Sequence, residues 1–78
     1  MSTPAAIDAL LAPGCTALGI RTPAHLSVAI LTSRTLSSTE RSVARAMNDA
    51  RRAGDAVAAQ RTSDAAVAVA DGRLAVSL

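Results

Sequence analysis

None of the 78 side chains is aromatic, and that omission limits what the chain can build. Phe, Tyr and Trp supply much of the burial in ordinary cores and interfaces. Here Ile, Leu, Val and Met must do that work, helped by close backbone approach at alanine, the commonest residue. A chain of this length buries only about 60% of the surface its unfolded form exposes. One domain covering residues 1–78 is therefore expected, with a thin stability margin that a second copy or a ligand would widen.

The same inventory excludes whole classes of function. A single cysteine, Cys15, cannot form an intramolecular disulfide, which fits a reducing compartment. No apolar run approaches the roughly 20 residues that span a bilayer. The N-terminal residues show no basic segment followed by an apolar one. A cytoplasmic protein with no membrane partner is the expectation. His25 is the only histidine and offers no metal set with Cys15. No nucleophile–base pair at plausible spacing, phosphate loop or cofactor motif is present, so neither an enzyme nor a cofactor is expected.

Helix signals dominate the first two thirds. Thr3-Pro4-Ala5 and Thr22-Pro23-Ala24 each set a capping hydroxyl before a proline at the first helical position. The first helix should run from Pro4 to about Ala12, with Ile7, Leu10 and Leu11 on one stripe, and stop at Pro13-Gly14. A connector from Cys15 to Arg21 follows, with a short extended piece at Ala17 to Ile20. A second helix is predicted from Pro23 to Ser33, its inner face made by Leu26, Ala29, Ile30 and Ser33, with Val28 and Leu31 at the edges. The third helix is the clearest. It should span about Ser38 to Ala53, open on a capping box at Ser37 and Glu40, and end at Gly54. Val43, Ala46, Met47 and Ala50 form its expected buried stripe, with Arg41, Arg45, Asn48 and Arg52 opposite.

After Gly54 the pattern reads differently. Ala66-Val67-Ala68-Val69 and Leu74-Ala75-Val76-Ser77-Leu78 flank Asp71-Gly72, and Asp-Gly between two such runs is a strong hairpin signal. The segment from Asp55 to Arg61 is expected as a strand, by the alternation of Val57 and Ala59, the alternative being one more helical turn capped by Asp55. The chain thus predicts an α+β domain of three helices followed by a C-terminal β-hairpin.

Charge is concentrated in the third helix. The formal net charge is only +2. Between Arg34 and Arg52, five arginines (34, 41, 45, 51 and 52) face Glu40 and Asp49, a local balance of +3. The remainder is slightly acidic. A basic face on one element is the footprint expected for a polyanion partner.

The order of these elements, and the stretch Thr39-Glu40-Arg41-Ser42-Val43-Ala44-Arg45-Ala46-Met47-Asn48-Asp49-Ala50-Arg51-Arg52-Ala53-Gly54, resemble the winged helix-turn-helix DNA-binding domain of bacterial and phage transcription regulators. Thr39, Arg41, Ser42, Val43, Arg45, Met47 and Gly54 fall in register with the recognition helix of that family, and the resemblance covers residues 22–78. It implies that the helix over 39–53 reads duplex DNA, as part of a small regulator that dimerises on a two-fold site. A major groove about 12 Å wide admits one helix. Thr39, Glu40, Arg41, Ser42 and Arg45 would then reach base edges, with Arg bonding guanine and Glu accepting from the cytosine amino group. Asn48 and Arg52 would meet phosphate or the groove edge, Arg34 would clamp phosphate, and Arg73 would act from the wing. A second reading of the same domain is a protein-interaction module, whose contact surface would be the hairpin or helix two. The hairpin edge, through Leu74, Val76 and Leu78, is the expected self-association contact.

Overall fold

In a computed structural model, which describes residues 3–72, the chain is helical throughout its ordered elements. Helix α1 spans Pro4–Ala17. A single 3₁₀ turn, Pro23–His25, leads directly into α2, Leu26–Thr32. Helix α3 spans Ser38–Ala53 and α4 spans Ala56–Ala70. Helix α4 packs along both α1 and α3, and α2 lies against α3.

No strand occurs among the described residues, so the α+β winged-helix expectation is corrected to an all-helical domain. The first half of the expected hairpin, Ala66–Val69, lies inside α4. The second half, residues 74–78, and Arg73 lie outside the described residues, as does the proposed Leu74, Val76 and Leu78 contact. The Asp-Gly pair ends a helix instead of turning a hairpin. Asp71 has φ −80° and Gly72 has φ +80°, and the Gly72 N–H donates to the Val69 carbonyl at 3.0 Å. One residue of positive φ closes a helix, whereas this type of hairpin turn needs two. The strand expected over Asp55 to Arg61 is not formed: the Asp55 carboxylate accepts from the Ala58 N–H at 3.0 Å and caps α4, which takes in the rest of that segment.

Helix α4 buries Ala59, Ser63 and Ala66, spaced four and three residues apart. These small side chains let neighbouring backbones come close. The tightest approach is to α1 at Gly14, where a Cβ would fall 2.8 Å from Met47 Cε and from both Cα and Oγ of Ser63. There the Gly14 N–H donates to buried Ser63 Oγ at 2.8 Å. This packing explains why α1 does not stop at Pro13-Gly14. A proline inside a helix costs about 3 kcal/mol, but stopping would forfeit burial of Gly14 and Cys15 against α3 and α4. The expected extended piece at Ala17 to Ile20 is not formed, since Ala17 closes α1.

The remaining helix signals hold in most details. Thr3 Oγ1 accepts from the Ala6 N–H at 3.1 Å. Thr22 does not cap the second helix; its hydroxyl shares a hydrogen bond with His25 Nδ1 at 2.7 Å. The α3 capping box is complete: Ser37 Oγ accepts from Glu40 N at 3.1 Å, and Glu40 Oε1 accepts from Ser37 N at 2.8 Å. Ile7, Leu11, Leu26 and Met47 are the large side chains sealed in the core, joined by Ile20, Ile30 and Leu36. The α3 stripe is Ala44, Met47 and Ala50, with Val43 half-buried; Ala46, expected inside, is exposed.

Candidate functional site

The five arginines of the 34–52 segment share one stretch of sequence but divide between two jobs. Arg41 turns inward. Its Nη1 donates to the Ile30 carbonyl and its Nη2 to the Ser33 carbonyl at 2.8 Å. These oxygens lie at the C-terminal end of α2, where the helix leaves carbonyls without intrahelical partners and carries partial negative charge. Arg41 therefore holds α2 onto the start of α3. Arg51 bridges to α1: its Nε lies 2.8 Å from Asp8 Oδ1. That carboxylate bond raises the Arg51 pKa further, so its charge stays on and is offset by Asp8.

The other three arginines point outward. Arg45 and Arg52 are exposed on α3, and Arg34 is exposed in the turn between α2 and α3. The other residues expected to touch DNA are dispersed. Thr39 and Ser42 are exposed, Asn48 is half-buried and Glu40 is committed to the capping box. The outer row of α3 reads Ser42, Arg45, Asp49, Arg52, all exposed. An aspartate thus stands between Arg45 and Arg52, the two arginines of the helix without a hydrogen-bond or ion-pair partner for the side chain among the described residues.

Beside this row lies an apolar lip that the basic pattern obscures. Leu31 on α2 is 84% exposed and Val28, one turn earlier, is 54% exposed. Leu31 lines a shallow groove of about 290 Å³ with Ser27, Ile30, Arg45, Asn48 and Asp49. Sequence periodicity set Val28 and Leu31 at the edges of the second helix. The missing signal was how far α2 is turned from the core: Leu26 and Ile30 fill its buried side, so Leu31 must face away. A second groove at the other end of α3 is lined by Ile7, Asp8, Arg51, Arg52 and Gly54, and its central charges, Asp8 and Arg51, already neutralise one another.

Cys15 is sealed in the core, and burial, with help from the Asp8 charge, pushes its thiol up from 9.0 to about 11. At neutral pH it is a protonated, inaccessible group and a poor nucleophile. Among the described residues no group of three His, Cys, Asp or Glu side chains converges to hold a metal ion, and no helix is long and apolar enough to cross a membrane. Comparison with protein-family models, curated proteins and solved structures returns no match.

Proposed function

We propose that the chain is a small non-catalytic binding module, that its contact surface is the face formed by α2 and α3, and that this face meets protein. The observation that carries this reading is Leu31, 84% exposed in a groove whose rim holds Arg45, Asn48 and Asp49. Single exposed apolar residues are common and need no explanation. This one adjoins exposed Val28 on a seven-residue helix, too short to hold its shape without tertiary contacts. Burying a leucine is worth about 1.5–3 kcal/mol. A central apolar anchor with a mixed-charge rim is the usual anatomy of a protein–protein contact.

Duplex DNA is the second reading, favoured by Arg45, Arg52 and Arg34, which are exposed, as are Ser42 and Thr39. It draws on fewer free cations than the sequence offers, because Arg41 and Arg51 are engaged within the fold. The two readings differ in salt response: phosphate contacts release counterions and weaken steeply with salt, whereas apolar burial does not.

A photo-crosslinking side chain at position 31, with one at exposed position 61 on α4 as control, tests the protein reading in living cells. Covalent polypeptide adducts are expected from position 31 and not from 61. Absence of adducts from 31, together with retention of a randomised duplex pool that is lost as salt rises, would replace the protein reading with the DNA reading.

A further inference from the structure

We infer that the α2–α3 face is self-complementary and that its occupant is a second copy of this chain, joined about a two-fold axis. The inference rests on the protein-contact reading of that face and goes further by naming the partner. Its basis is the order of residues along the outer row of α3: Ser42, Arg45, Asp49 and Arg52. In a two-fold contact the same patch meets itself, so that if residue i touches residue j, j also touches i. Two antiparallel copies of α3 related by an axis level with residue 47 place Arg45 opposite Asp49 of the second copy, and Asp49 opposite its Arg45. The same rotation sets each Ser42 hydroxyl opposite an Arg52 guanidinium. The first contact is an ion pair and the second lets the guanidinium donate to a hydroxyl; both are made twice, and no like charges of this row face one another. Ala46, small and exposed, lets the helices approach.

The apolar anchor lies at the right level for this arrangement. Leu31 shares its groove with Arg45, Asn48 and Asp49, the residues that flank the axis. The rotation therefore brings the two Leu31 side chains toward each other on one side of the helix pair, where each covers the other. Neither Arg45 nor Asp49 is paired with another described side chain, so the contact breaks no ion pair of the monomer. The need for it follows from the core. Four of its buried positions are alanines and none is aromatic, so a second apolar face covered by a copy adds burial that the single chain lacks.

Sedimentation of the full chain over a concentration series tests the inference. The wild type should pass from monomer to dimer. Arg45→Asp and Asp49→Arg should each weaken the dimer at least about tenfold, because each sets like charges across the axis twice. The double variant Arg45→Asp with Asp49→Arg should restore most of the loss, and Leu31→Ser should weaken the dimer without charge rescue. All three positions are exposed helix sites, and circular dichroism checks that each variant keeps its helix content. A wild type that stays monomeric at the highest concentration overturns the inference, as does a dimer indifferent to the single swaps or one not rescued by the double swap. Crosslinks from position 31 to a different polypeptide only, with no product of twice the chain mass, overturn the second copy as partner while leaving the protein-contact reading in place. No crosslink of any kind from position 31 removes that reading itself.

Discussion

Arg41 and Arg45 stand one turn apart on the same helix, and in the sequence they are equivalent candidates for an outward basic face. The fold separates them. Arg41 donates to two carbonyls at the end of α2, while Arg45 stays exposed. Hydrogen bonds to charged groups contribute about 1.5–3 kcal/mol, so Arg41→Ala should lower unfolding free energy by about that much. Arg45→Ala should stay within about 0.5 kcal/mol, as ordinary surface changes do, when both are measured at a dilution where the chain is monomeric; paired denaturant titrations check the difference. At the α1–α4 crossing, Gly14→Ala would gain up to about 1 kcal/mol of helix propensity. Its Cβ would nevertheless lie 2.8 Å from the Ser63 backbone, and overpacking of that kind costs about 1–3 kcal/mol. A net loss of stability is the expected result. Cys15 gives a pH signature. Its thiol rises from 9.0 to about 11 on folding, so below pH 9 both folded and unfolded chains carry the neutral thiol and its stabilising share is fully present. As pH climbs from 9 toward 11 the unfolded chain ionises first and stability falls. Cys15→Ala, compared with the wild type over that window, should flatten the fall.

At the scale of elements, the sequence was legible wherever a terminus carried its own signal. Thr3, the Ser37–Glu40 box and Gly54 marked helix ends that the structure forms. Helix α4 was misread because its evidence is ambiguous at short range. Alternating Ala and Val at 66–69 satisfies a strand of period two, yet alanine is the best helix former. The pattern that decides is Ala59, Ser63, Ala66, a helical stripe of small residues that no hydrophobic ranking highlights. Pro13 was misread for the converse reason: a local breaker was overridden by packing at Gly14 that sequence alone does not display. The basic residues of the candidate site were legible as a group. Their division into Arg41 and Arg51 inside and Arg34, Arg45 and Arg52 outside was not, because it depends on where α2 ends and α1 lies. The helical assignment of 66–69 has a direct check. Ala68→Pro should cost about 3 kcal/mol or more in the interior of α4, seen as a lowered denaturation midpoint with loss of helical signal.

For the whole molecule, the absence of aromatic residues has a structural answer in two parts. Small residues on α4 allow close helix contact inside, and α2 leaves Leu31 and Val28 uncovered outside. The interior holds the chain together, and the uncovered lip, flanked by a charge row that matches its own reverse, is the surface on which the account turns. If that surface is the working one, thermal stability should rise with protein concentration, since an associating partner favours the folded state by mass action. The most direct measurement is the amide spectrum of isotopically labelled protein across a dilution series. Concentration-dependent shifts are expected at Leu31, Ser42, Arg45, Asn48 and Asp49, and none at Arg61 or Asp64, exposed on α4. Shifts confined to α4 or α1, or a spectrum that does not change with concentration, would contradict that expectation.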